Sequence, residues 1–323
     1  MLFWIFVLIV LKNIYETNCT TFPSVAICLT KHRIGDEFWN ALHMRFPGKQ
    51  KISYRDMKAL YNYFYVKSTD TYIGPLSNSS WDVDILDLRR ELFPRTCKEF
   101  FDQVYFTGKL IPDCEKIFKF HELEHGYCFL ANNYMDYDSA EQMPLQYSSS
   151  EKNPVLRLVL RPPPIYNYEY YVQSNEDLPN FNSSGYSISY IPKKDVFKVV
   201  ANPNSKSINE PISKRQCRFP NESTIKGYPY SRSTCMGNIL SEIELEKCNC
   251  TLFSYSDQSS KNFCGIEGVD CVGKKARHWS LAPAFTPCLP SCVHRNVVFD
   301  AEKTKTRDDL RAYLIDIEIE SPL

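Results

Sequence analysis

Cysteine is the residue type whose number and spacing carry the most chemistry in this chain. Eight of its thirteen cysteines lie between residues 217 and 292. The intervals narrow toward Cys248-Asn249-Cys250 and then widen, which suits a hairpin whose two legs are joined by nested disulfide bonds. Eight cysteines allow about a hundred pairings, so the spacing alone leaves the pairing open. The eight are Cys217, Cys235, Cys248, Cys250, Cys264, Cys271, Cys288 and Cys292.

Zinc binding is the alternative use of these cysteines, and their spacing argues against it. A structural zinc site typically takes its ligands from paired Cys-x-x-Cys knuckles. The intervals Cys248-x-Cys250 and Cys288-x-x-x-Cys292 make poor knuckles, and the nearby histidines lack the spacing of a zinc finger. The pattern therefore favours disulfides, and no metal or cofactor is predicted.

A second candidate for chemistry is the stretch from His121 to His125, which fits the pattern His-Glu-x-x-His. On a helix, this spacing would place two imidazoles on one face around zinc, with Glu122 as general base. A helix should continue through such a motif, whereas here Gly126 follows at once and the next residues predict a strand. We therefore interpret 121–125 as a solvent-exposed turn and predict no catalytic residue, since a motif depends on its structural context.

The composition of the chain indicates an oxidising compartment. The chain has 323 residues and no net charge, with 38 basic and 38 acidic residues, so nothing points to a nucleic-acid partner. Its thirteen cysteines are typical of proteins outside the cytosol. Acceptor sequences for N-linked glycans agree with this location. They begin at Asn18, Asn78, Asn182, Asn221 and Asn249.

The amino-terminal segment is apolar from Met1 to Leu11 and ends at Lys12. A membrane-spanning helix needs about 20 such residues. Residues 1–15 are therefore interpreted as part of a first transmembrane helix or as a signal-like segment, whose apolar region needs only about 7–15 residues. A signal peptide would also carry a basic start and a small-residue cleavage site, which this segment lacks.

Helical periodicity dominates residues 35–107. Ser53-x-x-Asp56 is typical of a helix start, and apolar residues recur at three and four positions after it. Earlier and later segments, near 39–46 and 81–92, show the same spacing. The last predicted helix of this region carries Cys97, Phe100, Phe101 and Val104.

Alternation of apolar and polar residues takes over from residue 145 to residue 209. This period of two predicts strands, and tyrosines with small polar neighbours suit an antiparallel sheet with one wet face. A final strand is predicted at 312–320, with Tyr313, Ile315, Ile317 and Ile319 on one face. The other strands are predicted at 155–160, 168–172, 186–191 and 196–201.

The order of the cysteine motifs resembles one known family. The stretches 215–222, 230–235, 248–250 and 288–292 follow one another as in the cysteine-rich thumb of the degenerin/epithelial sodium channel family, most closely its insect pickpocket branch. Residues 21–28 and the sequence Gly126-Tyr-Cys128 match two strands of that family. The resemblance covers about residues 22–320.

The resemblance implies four nested disulfides in the cysteine-rich region. The family usually has a further rung, whose positions are occupied here by Ile239 and Thr286. Both have lost cysteine, so no orphan thiol remains, and Ile239 can pack against the opposite leg. The implied pairs are Cys217–Cys292, Cys235–Cys288, Cys248–Cys271 and Cys250–Cys264.

Two further disulfides are expected outside this region. The family would pair Cys114 with a cysteine near position 104, which is Val104 here, so Cys97 is the expected substitute. Cys19 is left unpaired, beside the predicted membrane boundary. The two expected pairs are Cys28–Cys128 and Cys97–Cys114.

The resemblance also implies an α+β fold of the acid-sensing and epithelial sodium channel type. An antiparallel β palm would carry a helical finger and a disulfide-stapled helical thumb. The strand that the family places between Leu11 and Phe22 is expected to be shortened or missing. The extracellular domain, 16–323, would divide into a palm strand (22–34), a helical finger (35–107), ball and palm strands (108–212), the thumb (213–295) and a returning palm strand (296–323).

The function implied is that of a subunit of a ligand- or stimulus-gated, amiloride-sensitive sodium channel in the plasma membrane. Sodium ions would pass through an assembly, expected to be a trimer with other channel subunits. The printed sequence lacks the second apolar helix with its Gly-x-Ser filter, so we expect it not to conduct sodium alone. The alternative is a secreted or membrane-tethered, disulfide-rich binding protein that acts as a decoy.

Overall fold

In the computed structural model, the described part of the chain consists mainly of β-strands. The described residues are 19–32, 56, 96–123, 126–137, 142–148, 154–161, 166–180, 183, 185–187, 193–201, 209–223, 228–252, 262–275, 287–293, 295–300, 305–306 and 312–320. The predicted amino-terminal segment 1–15 and the helices predicted near 39–46, 53–64 and 81–92 lie outside this set, apart from the single residue 56.

One sheet has five antiparallel strands in the order β10-β9-β2-β6-β5. Its centre is the predicted strand that begins at Ser24, with β6 on one side and β9 on the other. Val25, Ala26 and Ile27 follow one another in this strand and are fully buried, so both faces of the strand are covered, which suits a central position. The strands are β2 (Ser24–His32), β5 (Phe118–Leu123), β6 (Gly126–Ala131), β9 (Tyr166–Gln173) and β10 (Tyr186–Ser187).

The second sheet has seven strands, in the order β12-β11-β14-β8-β3-β4, with β13 also beside β11. Its strands β11 and β14 run parallel, while the other strand pairs of this sheet are antiparallel, as predicted. A long connection separates these two strands in sequence, and such a crossover allows parallel pairing. The strands are β3 (Phe101–Phe106), β4 (Lys109–Leu110), β8 (Leu156–Leu160), β11 (Lys193–Ala201), β12 (Arg295–Phe299), β13 (Lys305–Thr306) and β14 (Tyr313–Glu320).

A short pair of strands, three α-helices and several short 3-10 helices complete the described elements. The strand β1 (Cys19–Thr21) pairs with β7 (Gln146–Ser148), so the interval before Phe22 holds a strand of three residues, as the shortened alternative predicts. The helices are α1 (Ile212–Arg215), α2 (Arg232–Cys248) and α3 (Ile266–Lys275).

The core lies where aromatic side chains of the two sheets meet. Phe100, which precedes β3, has its ring centroid 5.1 Å from that of Phe129 on β6. Tyr170 on β9 packs edge-on against Phe197 on β11 at 5.3 Å. Such pairs add to the free energy gained by burying apolar area. The two sheets therefore share one hydrophobic core, to which β8 contributes three buried leucines.

The helix predicted to carry Cys97 and Val104 is wrong. Residues 97–99 form a short 3-10 turn, and residues 101–106 form the strand β3. A register shift between Phe101 and Gln103 places Phe101 and Val104 on the buried side although they are three residues apart. A β-bulge of this kind imitates helical spacing in the sequence.

A buried carboxylate also links the sheets. Asp195 on β11 is 1% exposed and accepts hydrogen bonds from the hydroxyls of Tyr170 and Tyr313, the former at 2.8 Å. Burial, followed by the charge of Asp195, raises the pKa of Tyr170 far above that of an ordinary tyrosine. Burial and the hydrogen bond to Asp195 raise the pKa of Tyr313 in the same direction. Both hydroxyls therefore keep their protons in the folded chain at high pH.

These tyrosines predict a loss of stability at alkaline pH. Above about pH 10, unfolded tyrosines release their protons while the buried ones retain theirs, so unfolding becomes more favourable. Between pH 9 and pH 11 each buried tyrosine should lower the free energy of unfolding by about 1.4 kcal/mol in total, with a slope that steepens as the pH rises. Urea titrations between pH 9 and 11 would measure the slope.

Tyr313→Phe should make this slope shallower by the share of one tyrosine. Tyr105→Phe is the matched control, because its hydroxyl bonds Gln103 at the protein surface. The control should leave the slope unchanged. An identical pH dependence in wild type and Tyr313→Phe would contradict the role assigned to the buried hydroxyl.

Candidate functional site: the cysteine hairpin and its junction with the sheets

Four disulfides join the legs of the hairpin formed by residues 217–292, here called the cysteine hairpin. The pairs are those that the resemblance implies, with Cα–Cα distances between 4.9 and 5.8 Å. They are Cys217–Cys292, Cys235–Cys288, Cys248–Cys271 and Cys250–Cys264. The two legs are therefore covalently linked at four points, and they cannot separate unless these disulfides are reduced.

The two remaining disulfides lie in the body of the protein. Cys28 on β2 and Cys128 on β6 occupy directly paired positions of adjacent strands and are bonded. Cys97 is bonded to Cys114, the substitute pairing expected from the sequence. Cys19 lies in β1, where only its backbone is among the described parts of the chain.

Helix α2 forms the first leg of the cysteine hairpin and begins at a strong cap. The side chain of Ser231 accepts a hydrogen bond from the backbone N–H of Thr234 at 3.1 Å. In return, the Thr234 hydroxyl oxygen accepts a hydrogen bond from the backbone N–H of Ser231. This capping box satisfies two backbone donors that a helix start leaves free. The helix ends at Asn249, which adopts a left-handed φ of 56° and donates its N–H to Leu245.

The buried face of α2 is polar. Its buried residues are small or hydrogen-bonding side chains rather than aliphatic ones. Glu244, 4% exposed, accepts hydrogen bonds from the Thr251 hydroxyl at 2.7 Å and from the Leu252 N–H at 2.9 Å. A sequence scan for apolar periodicity misses such a face, because the signal it needs is absent. The buried residues of α2 are Ser233, Thr234, Gly237, Ser241 and Glu244.

The tip of the cysteine hairpin is packed by α3 against a disulfide. Val269 and Val272 of α3 are buried and belong to the hydrophobic core cluster. Gly268 faces the Cys250–Cys264 bond so closely that a Cβ atom there would lie 2.3 Å from the Cys250 sulfur. The close approach of helix and disulfide therefore depends on glycine at this position.

The base of the cysteine hairpin is held by arginines. Arg215, 4% exposed, forms an ion pair with Glu222, and its Nε donates to the Cys217 carbonyl at 3.0 Å. The hydrogen bond from Arg215 lowers the pKa of Glu222. The guanidinium of Arg218 lies over the Tyr230 ring at 5.4 Å, and the Tyr230 hydroxyl donates to the carbonyl of the residue after Cys288.

A short segment after β9, residues 174–178, connects the cysteine hairpin to the sheets and is here called the junction segment. Ser291, beside the outermost disulfide, donates to Glu176 at 3.0 Å. Ser233, in the first turn of α2, accepts from the Leu178 N–H at 2.9 Å. Its hydroxyl also lies 3.3 Å from the Asp177 carboxylate. Both legs of the cysteine hairpin therefore end on the same five residues.

The other side of the junction segment is bonded to the five-stranded sheet. The Asn175 amide donates to the carbonyl of Phe22 at 2.8 Å and to that of Asn132 at 2.6 Å. Asn132, with a left-handed φ of 59°, donates to Phe22 at 2.7 Å and exchanges hydrogen bonds with Leu145. Asn133 donates to the Asp177 carbonyl at 2.7 Å. The hydrogen bonds thus run from the cysteine hairpin to Phe22, at the start of β2.

Two acceptor asparagines and one position of the lost rung are among the described residues. Asn221 and Asn249 are exposed, whereas Asn18, Asn78 and Asn182 lie outside the described residues. Ile239 is half-buried and lines a surface cavity together with Pro287 of the opposite leg. Thr286, the other position of the lost rung, is also outside the described part of the chain.

Residues 121–123 of the His-Glu-x-x-His stretch are not in the solvent-exposed turn predicted from the sequence. His121 and Glu122 belong to the strand β5. This strand begins at Phe118 and pairs with β6 along its whole length. The ring of His121 lies 3.0 Å from the Asp136 carboxylate. Residues 124–125 lie outside the described residues, and among the described ones no group of three or more potential ligands could hold a metal ion.

No helix within the described ranges is long and apolar enough to cross a membrane. The longest, α2, has 17 residues and a polar buried face. The apolar segment at the amino terminus is outside those ranges.

The close contact of Gly268 predicts how substitutions at the tip behave. Gly268→Ala should destabilise the chain by about 1–3 kcal/mol, because the added methyl overlaps a sulfur that the disulfide holds in place. Gly265→Ala is the matched control, since a Cβ there meets no atom within 4 Å. Thermal unfolding of both variants should separate them, and equal stability of Gly268→Ala and wild type would contradict the packing described.

The comparison with known families agrees with these features. The family model described as amiloride-sensitive sodium channel matches residues 6–312. No curated protein matches the chain significantly. The predicted α+β class is confirmed by the antiparallel strand pairs, few helices and six disulfides, while the assignment to the pickpocket branch stays a prediction. Because the match spans nearly all of the sequence, the chain belongs to the amiloride-sensitive sodium channel family.

Proposed function

We propose that this protein is a subunit of an amiloride-sensitive sodium channel of the plasma membrane, and that the described residues form part of its extracellular domain. The observation that carries the proposal is the family match over residues 6–312. The nested disulfides of the cysteine hairpin support it, because they follow the order that the resemblance implies.

An extracellular location is supported by the chemistry of the chain. Six disulfides require an oxidising environment during folding. Asn221 and Asn249, both in acceptor sequences for glycans, have exposed side chains. In this proposal sodium ions pass through an assembly with other channel subunits, expected to be a trimer, and residues 1–15 contribute to the membrane anchor.

The proposed domain division follows the mechanics of the molecule. The two large sheets act as the palm, and the cysteine hairpin acts as the thumb. Its four cross-links make it a stiff lever, since each one restricts the separation of the legs. The junction segment is the fulcrum, because both legs are bonded to it through Ser233 and Ser291.

The route from the lever to the membrane runs through Phe22. Asn175 of the junction segment holds the Phe22 carbonyl, and β1 lies directly before it. A tilt of the cysteine hairpin would therefore displace the chain at the point where it leaves the predicted membrane segment. Removal of one neutral hydrogen bond costs about 1 kcal/mol, which changes an equilibrium constant by about fivefold.

Channel recordings would test the proposal. The chain, expressed in oocytes together with other subunits of the family, should change the amplitude or gating of the amiloride-sensitive sodium current. Surface biotinylation would report how much protein reaches the plasma membrane. No change in current at normal surface levels would argue against a channel role, and release into the medium without membrane retention would favour the binding-protein alternative.

Ser233→Ala and Ser291→Ala should each shift the stimulus dependence of that current by about fivefold, because each loosens the contact of one leg with the junction segment. Ser213→Ala is the matched control, since Ser213 is exposed on α1. The control should leave the stimulus dependence unchanged. Wild-type gating in both junction variants would remove the junction segment from the mechanism.

A further inference from the structure

We propose that Asn249 accepts an N-linked glycan only before the tip of the cysteine hairpin closes, so that glycan transfer and formation of the Cys250–Cys264 disulfide compete. The site is the sequence Asn249-Cys250-Thr251, in which the middle residue is itself half of a disulfide. The proposal concerns biosynthesis and is independent of the channel role.

The asparagine itself is compatible with a glycan in the folded protein. Asn249 is exposed at the end of α2, where its backbone caps the helix through Leu245. Its φ of 56° and ψ of 19° place it in the left-handed region, which asparagine adopts more easily than most residues. A sugar attached earlier to Nδ2 would therefore project into solvent without displacing core side chains.

The threonine that completes the acceptor sequence is inaccessible once the tip has folded. Thr251 is 0% exposed, and its hydroxyl lies 2.7 Å from a Glu244 oxygen and 3.2 Å from the Ser241 hydroxyl. Its backbone N–H donates to Asn262 at 2.9 Å, and its carbonyl accepts from Cys264 at 3.0 Å. A transferase that must contact this hydroxyl cannot reach it in the closed tip.

The disulfides on both sides keep the tip closed. Cys248 is bonded to Cys271, and Cys250 to Cys264, on either side of the asparagine. Gly268 of α3 packs against the Cys250–Cys264 bond, so helix α3 covers this disulfide. Presentation of Asn249 and Thr251 in an extended conformation therefore requires that the Cys250–Cys264 bond has not formed.

Glycan transfer to Asn249 and formation of the Cys250–Cys264 disulfide are the two competing reactions. In glycan transfer, Asn249 Nδ2 forms a bond to C1 of an oligosaccharide carried on a lipid diphosphate. The C1–oxygen bond breaks, the lipid diphosphate leaves, and Nδ2 loses one proton. In closure, the thiols of Cys250 and Cys264 form a sulfur–sulfur bond. Their two electrons and two protons pass to the disulfide of an oxidoreductase, which becomes a dithiol.

The position of each acceptor along the chain decides how long it stays open. Cys250 and Cys264 are 14 residues apart, so this bond can form soon after the acceptor sequence has been synthesised. The other described acceptor, Asn221, follows Cys217, whose partner Cys292 comes 75 residues later. Asn221 is therefore accessible for longer, which makes it the internal reference for Asn249.

Glycan occupancy in cells would test the competition. The full chain is expressed in a secretory cell line, with and without dithiothreitol during synthesis, and occupancy is measured by mass spectrometry of peptides after enzymatic deglycosylation in heavy-oxygen water. Occupancy at Asn249 should be partial and rise at least twofold with the reductant, while that at Asn221 stays constant. Cys264→Ser should raise Asn249 occupancy without reductant, and Asn249→Gln should abolish the signal.

A cell-free reaction separates folding from synthesis. The purified oxidised chain and the reduced, unfolded chain are each incubated with the transferase and lipid-linked oligosaccharide. Transfer to Asn249 is expected only in the reduced chain. Equal transfer to the oxidised chain would overturn the proposal, and so would an occupancy at Asn249, whether full or zero, that dithiothreitol leaves unchanged.

Discussion

The structure depends on a set of buried amide hydrogen bonds around the junction segment. Asn132 and Asn175 are almost completely buried, and burial of a polar group is unfavourable unless its hydrogen bonds are satisfied. Here the Asn132 amide donates to the carbonyls of Phe22 and Leu145, and the Asn175 amide donates to those of Phe22 and Asn132. Loss of the Asn132 amide would remove the acceptor of the Leu145 N–H, and loss of the Asn175 amide would remove the donor to the Asn132 carbonyl. Both amides share the Phe22 carbonyl, so the geometry of the cluster is fixed together.

The disulfides have a different task from these hydrogen bonds. They join the legs of the cysteine hairpin to one another, whereas the contacts described between the hairpin and the junction segment are hydrogen bonds of Ser233 and Ser291. Covalent cross-links restrict internal opening of the hairpin, while hydrogen bonds can exchange with water at a cost of about 1 kcal/mol each. The cysteine hairpin is therefore rigid within itself and attached to the junction segment by exchangeable hydrogen bonds, which suits movement as one body.

Much of this arrangement could be predicted from the sequence, and the exceptions have physical causes. The family resemblance implied four nested pairs and led to two further ones, and the structure joins all six. Alternation located strands such as β8 and β14. The helix predicted at Val104 was wrong because a bulge in β3 imitates helical spacing. The polar face of α2 and the role of Asn175 carried no apolar signal, and their partners are distant in sequence.

The polar face of α2 has a consequence for how the cysteine hairpin can work in a channel. An aliphatic face would be held by area burial, which is lost steeply when the surfaces separate. The first turn of α2 is held on the junction segment by directional contacts of Ser233, whose hydroxyl accepts from the Leu178 N–H and also lies near the Asp177 carboxylate. Small rearrangements of such contacts separate states by a few kcal/mol, which is the range that a ligand or stimulus can shift. The sequence of α2 therefore favours a cysteine hairpin that stays folded while its hydrogen bonds to the junction segment rearrange.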